Sequence, residues 1–130
     1  MRLDIYISTD LKGPQKRHGS YRATWVGYNN IGKKLGEDGV FEWDYGNEYS
    51  LLVKALKEAV GHINRHANPD IRICLDNKLM IQSIRRLNTW QKRGFKRTNG
   101  RPLAQADDWK YIAEKLSGLF YKVEGGPANG

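Results

Sequence analysis

Three carboxylates stand where an α/β chain can do metal chemistry. Asp10 and Asp76 each close a short apolar strand-like run, and Glu48 lies just inside the start of an amphipathic helix. Hard oxygen ligands of this kind suit a divalent cation such as magnesium. The rest of the chain is strongly basic, with a net charge of +8 at pH 7 and a pI near 9.7. A cation held by these acids would therefore be presented to a phosphate chain, as in a metal-dependent nuclease. Singly, each acid has a plainer role: Glu48 can complement a helix dipole, and Asp10 and Asp76 can serve as turn or cap residues. Their coincidence at three element ends favours a shared site.

The elements that position them can be read from periodicity. Residues 3 to 9 alternate apolar and polar, the pattern of a half-buried strand ending at Asp10. Residues 11 to 20, with Gly13, Pro14 and Gly19, read as a loop. Residues 21 to 28 and 40 to 45 read as strands with a turn at Asn29-Asn30-Ile31-Gly32, giving an antiparallel meander. From Asn47, a candidate N-cap, the period changes to helical, with Leu51, Leu52, Ala55, Leu56, Ala59, Val60 and Ile63 on one stripe and Gly61 a weak point near the end. Residues 71 to 75 are too few for a helix and read as a buried strand ended by Asp76. Helices are expected over 77 to 87 and over 107 to 117, where Trp109, Ile112, Ala113 and Leu116 share a face, and a last strand over 119 to 123.

The order βββαβααβ predicts an α/β fold with a five-stranded mixed sheet, three antiparallel strands followed by parallel ones, flanked by helices. The first strand and the 71 to 75 strand can lie parallel, joined by the long helix as a right-handed crossover, so that their carboxyl ends point the same way. Glu48, spaced i+4 and i+7 from Leu52 and Ala55, faces inward from the first helical turn.

At 130 residues and 39% apolar content the chain is expected to form one domain, 1 to 130. No run approaches transmembrane length, and the charged opening Met1-Arg2-Leu3-Asp4-Ile5 lacks the pattern of a secretory signal, so the cytosol is the expected compartment. The single cysteine, Cys74, rules out an internal disulfide and reads as core filler. His18, His62 and His66 have no partners at zinc-ligand spacing. No Asp or Glu occurs between Asp76 and Asp107, where Lys78, Arg85, Arg86, Lys92, Arg93, Lys96, Arg97 and Arg101 fall. Trp90 and Phe95 interleave with these bases, which suits phosphate contacts and stacking without sequence readout. A second acid-free stretch, 11 to 36, is as well explained by a solvated face. Trp25, Trp43, Tyr21 and Tyr28, at strand spacing, read as core or cross-strand pairs.

With these residues in view, the chain resembles the type 1 ribonucleases H over roughly residues 2 to 127. The most specific part is Trp90-Gln91-Lys92-Arg93-Gly94-Phe95-Lys96, followed by Pro102 and Asp107-Asp108-Trp109, which is similar to the family's basic protrusion (about 88 to 102) and the helix after it. Ser8-Thr9-Asp10, Glu48 with Ala55-Leu56, and Leu75-Asp76-Asn77 with Gln82 and Ile84 resemble its first strand, first helix, and fourth strand with the next helix. The resemblance implies that Asp10, Glu48 and Asp76 are three of four metal-binding acids. It also implies that Trp90, Lys92, Arg93, Phe95, Lys96 and Arg97, with Lys78, Arg85 and Arg86, hold an RNA/DNA hybrid. The implied activity is hydrolysis of the RNA strand to 5′-phosphate and 3′-hydroxyl ends with two magnesium ions, manganese being a substitute, by a monomer needing no organic cofactor and no membrane.

The chain departs from the family pattern in places. Leu11 stands where the family has glycine, and Asp44-Tyr45 where it has paired asparagines. Its Gly/Pro/Asn tail, 124 to 130, keeps a Pro-x-Asn at Pro127 and Asn129 without the family's loop histidine, and the fourth aspartate would fall past Gly130. The expectation is a sequence that stops before a last helix. Catalysis with three acids, partial substitution by Glu124 or Asp44, and a chain that does not cleave remain as other readings. A non-catalytic module for hybrids or double-stranded RNA and a DNA-directed nuclease of the same superfamily are the competing functions.

Overall fold

A computed structural model gives the fold, and it describes residues 1 to 125. Residues 126 to 130, which carry Pro127 and Asn129 of the expected tail, lie outside the described residues, whereas Glu124 and Gly125 end the last strand.

The first strand, β1 (Arg2–Thr9), buries Leu3, Ile5 and Ile7 on one face, as the alternation predicts. It pairs antiparallel with β2 (Arg17–Tyr28), which pairs antiparallel with β3 (Lys34–Gly46). Both strands start earlier than the sequence pattern suggests. Residues 34 to 39 are all exposed, so ladder hydrogen bonds rather than buried side chains hold this part of the outer strand, and no apolar alternation marks it.

Gly46 turns the chain from β3 into α1 (Glu48–Val60), since a Cβ there would collide with Ser50 and approach Leu51 Cδ2 to 3.2 Å. Asn47 caps the helix as expected: its Oδ1 accepts from the Ser50 N–H at 2.8 Å, and Ser50 Oγ accepts from the Asn47 N–H at 2.9 Å. Leu51, Leu52, Val53, Ala55, Leu56, Ala59 and Val60 are buried, so α1 packs on the sheet on one side and on the third of the later helices on the other.

A 3-10 turn (Arg65–Ala67) leads to β4 (Asp70–Leu75), which lies parallel to β1 with Ile5 beside Ile73. The helix expected over 77 to 87 is two helices, α2 (Lys78–Arg85) and α3 (Leu87–Lys92), broken at Arg86. Then come α4 (Ala106–Leu116) and β5 (Tyr121–Gly125), parallel to β4 and two residues later than the pattern suggested. The sheet order is β3-β2-β1-β4-β5, three antiparallel strands then two parallel additions, as anticipated.

Beyond the apolar core, Asp4 is buried on the opposite face of β1. Arg72 (2.8 Å) and Arg2 (3.2 Å) neutralise it. Cys74 is buried and its thiol is pushed up by burial, which agrees with core filler. Among the described residues no helix is long and apolar enough to cross a membrane.

Candidate active site and nucleic-acid surface

Parallel pairing of β1 and β4 decides where two of the acids go. Asp10 immediately follows β1 and Asp76 immediately follows β4, so both emerge at the same end of adjacent strands. Continuing the register from Tyr6 beside Cys74 sets Asp76 level with Ser8, and Asp10 about 7 Å further along the strand direction. Asp10 is tied to the neighbouring strand: its Oδ1 accepts from the Ser20 N–H at 2.8 Å, and its own N–H donates to the Ser20 carbonyl at 3.3 Å.

Glu48 joins the two strand ends. Its Oε1 accepts from the Gly13 N–H at 2.9 Å, in the loop after Asp10, and its Oε2 accepts from Asn77 Nδ2 at 2.9 Å, the residue after Asp76. Partial burial raises the Glu48 pKa, but the Gly13 and Asn77 hydrogen bonds and nearby Lys12 outweigh it, so the net shift is downward and the group is ionised at neutral pH. Asn77 does double duty, because its Oδ1 also accepts from the Met80 N–H at 2.8 Å and caps α2. Sequence reasoning missed Asn77 and Gly13 as partners of Glu48. An asparagine between a strand-ending acid and a helix is a visible N-cap signal, whereas the Gly13 contact is made by backbone and leaves no residue-type trace.

Among the described residues no three His, Cys, Asp or Glu side chains stand close enough to hold a metal ion as they lie. Glu48 spends both oxygens on neutral donors, so the three acids share a neighbourhood without forming a ready-made cage. The donor set still fits a hard divalent cation: Asp10 and Asp76 are exposed carboxylates at adjacent strand ends, and Glu48 is hydrogen-bonded beside both. The two possible stand-ins for a fourth acid are engaged elsewhere. Asp44 is held by Lys54, which lowers its pKa, and Glu124 pairs with Arg72 (3.4 Å) and Lys122 (3.5 Å).

Leu11, standing where the resembled family has glycine, is buried over Gly19. A Cβ on Gly19 would overlap the Leu11 side chain and come to 2.8 Å from Asp10 Oδ1. Gly19→Ala is therefore expected to cost about 1–3 kcal/mol in urea unfolding and to displace Asp10. In a Leu11→Ala background the added cost of Gly19→Ala should shrink, and an equal cost in both backgrounds would contradict this packing.

The basic segment is built on a buried peg. Phe95 is 7% exposed and belongs to the core, which corrects the expectation that its ring meets nucleic acid. It adopts φ 60°, uncommon for a non-glycine residue, directly after Gly94 at φ 69°. Its N–H donates to the Trp90 carbonyl (2.9 Å), and its carbonyl accepts from the Leu103 N–H (3.0 Å). Phe95→Ala is expected to destabilise the fold by about 3 kcal/mol, within the usual range for a buried phenylalanine, as thermal unfolding would show. Trp90 is half-buried, edge-on to the fully buried Trp109 at 5.5 Å, so only part of its ring faces outward.

Lys92, Arg93, Lys96 and Arg97 are exposed around this peg, as are Lys78, Arg85 and Arg86 on α2 and the turn after it. Among the described residues none of these seven cations makes an ion pair; the paired cations are Arg2, Lys34, Lys54, Lys57, Arg72 and Lys122. Another expectation needs correcting. Trp43 is 68% exposed and sits on the outer strand, whereas Tyr21 is core and Trp25 stacks on His62 at 4.5 Å.

Comparison with solved structures identifies the fold. The chain is similar to LC9-RNase H1, a type 1 RNase H with the type 2 active-site motif, at TM-score 0.67 and 15% identity over 95% of this chain, of whose length it spans 63%. It is also similar to the PFV RNase H domain at TM-score 0.63 and 19% identity, covering 98% of this chain and 81% of that one. LC11-RNase H1 in complex with RNA/DNA hybrid matches at TM-score 0.61 and 12% identity, covering 98% and 87%. No family model and no curated protein matches the sequence. The chain has the ribonuclease H-like fold.

Proposed function

We propose that this chain is a metal-dependent phosphodiester hydrolase that cuts the RNA strand of RNA/DNA hybrids, acting as one ribonuclease H-like domain and as a monomer. The observation that carries the reading is Glu48, hydrogen-bonded both to the loop after Asp10 and to the residue after Asp76 at the common end of β1 and β4. The likeness in fold to LC11-RNase H1, solved in complex with RNA/DNA hybrid, supports this substrate class.

In this mechanism Asp10, Glu48 and Asp76 would hold magnesium, with manganese as a substitute. When bound, the metal supplies a lower pKa for the attacking water and charge compensation for the departing 3′ oxygen. The chain's own residues do the rest. Asp10 would be the central ligand, since it stands at the end of mid-sheet β1 and the Ser20 N–H fixes one of its oxygens there. Glu48 stays ionised through its two hydrogen bonds and links the strand ends. The cations on α2, α3 and the segment after α3 hold the backbone phosphates of the hybrid, which sets register without reading sequence. Products carry 5′-phosphate and 3′-hydroxyl ends.

A second reading has its own support: among the described residues Asp10 and Glu48 spend oxygens on hydrogen bonds, the acids form no cage and the seven cations are without ion pairs, which is what a hybrid-binding module without cleavage needs. Incubating the protein with labelled RNA/DNA hybrid, duplex RNA and duplex DNA, with magnesium, manganese or EDTA, separates them. Metal-dependent loss of the RNA strand from the hybrid alone is the expected result. Retention of hybrid without any cut supports the binding module, and cutting of duplex DNA overturns both.

A further inference from the structure

The outer strand β3 presents Phe41, Trp43 and Tyr45 on a single face, two residues apart, at 48%, 68% and 52% exposure. Large rings in an exposed row are a surface with a purpose more often than a folding device, since they contribute little to the core. Phe41 and Trp43 meet edge to face at 5.7 Å, a contact that occupies an edge of one ring and one face of the other.

Their cross-strand partners on β2 are Arg22 beside Phe41, Ser20 beside Trp43 and His18 beside Tyr45. The Arg22 guanidinium lies 5.2 Å from the Phe41 ring centre, and the His18 ring meets Tyr45 edge-on at 5.2 Å. The acids interleaved in this stretch, Glu42 and Asp44, alternate to the other face, where Asp44 is paired with Lys54 of α1. Exposed aromatic rings beside a guanidinium match the π-face and backbone charge of unpaired nucleotides.

Position strengthens the match. Ser20 binds Asp10 on one side and pairs with Trp43 on the other, so Asp10, Ser20 and Trp43 lie side by side across three strands. At ordinary strand spacing this sets the Trp43 backbone roughly 10 Å from that of Asp10.

We propose that β3 is a stacking platform for a single-stranded nucleic acid, with bases on Trp43, Phe41 and Tyr45 and phosphate on Arg22. The platform is distinct from the acid site and from the basic segment after α3. A second copy of this chain is disfavoured as the occupant, because it would set Arg22 against a protein of net charge +8.

The test is fluorescence anisotropy of the full chain with a labelled oligodeoxythymidine 12-mer, in EDTA and at low salt. Phe41→Ala and Trp43→Ala are each expected to weaken binding by about tenfold. Arg22→Gln should weaken it and flatten the salt dependence, and the equally exposed Leu35→Ala should leave it unchanged. Trp43→Phe should retain affinity that Trp43→Leu loses, which separates stacking from any effect on folding. Affinity of the Phe41→Ala/Trp43→Ala protein within twofold of wild type overturns the platform. So does sedimentation showing a wild-type dimer that this double variant dissolves. Neither failure touches hybrid cleavage, which is read with magnesium and depends on Asp10.

Discussion

Asp10→Asn is expected to lower magnesium-dependent cleavage of an RNA/DNA hybrid by roughly 10³-fold, a loss on the scale of removing a preorganised charge-stabilising group. The physical reason is local. The substitution keeps an oxygen that can accept from the Ser20 N–H, so the strand end stays in place, while the negative charge that recruits a cation is gone. Hybrid affinity in EDTA and the unfolding midpoint should therefore barely move. Single-turnover cleavage beside anisotropy separates the two effects, and a variant that still cuts within tenfold of wild type removes Asp10 from the chemistry.

Glu48 behaves differently with pH. Its folded pKa lies below its ordinary value of 4.5, so its stabilising tie between the strand ends is fully present above that pH and lost as pH falls through the folded value. Acid sensitivity from this group is confined to the region below about 4.5.

The second large effect concerns the basic segment. Replacing Lys92, Arg93, Lys96 and Arg97 together by Gln is expected to weaken hybrid binding by about 10²–10³-fold near 0.1 M salt and to flatten the plot of log affinity against log salt by about 0.9 for each phosphate that is no longer neutralised. These side chains are exposed and, among the described residues, make no ion pairs, so their removal should leave thermal stability almost unchanged. An unaltered salt slope would mean that the hybrid lies elsewhere on the protein.

Much of this arrangement could be read from residue order. The alternation in β1, the capped stripe of α1 from Asn47 and the short run of β4 place Asp10, Glu48 and Asp76 at element ends, because each pattern is a local one set by burial on one face. Other features left no local mark. Residues 34 to 39 belong to β3 through pairing with β2, although their side chains are exposed and carry no alternation. Arg86 breaks a helix whose apolar spacing runs on from Ile84 to Leu87.

Residue type determined the chemistry available to this protein: hard carboxylates, a block of cations without acids, and aromatic rings at period two. Only the tertiary structure decided how they are used. It turned Phe95 inward as an anchor and Trp43 outward as a surface, and it brought Asn77 and Gly13 to the two oxygens of Glu48. The reason is that burial and hydrogen bonding between distant segments depend on which strands become neighbours, and the parallel pairing of β1 with β4 is a property of the whole sheet that no stretch of sequence encodes alone.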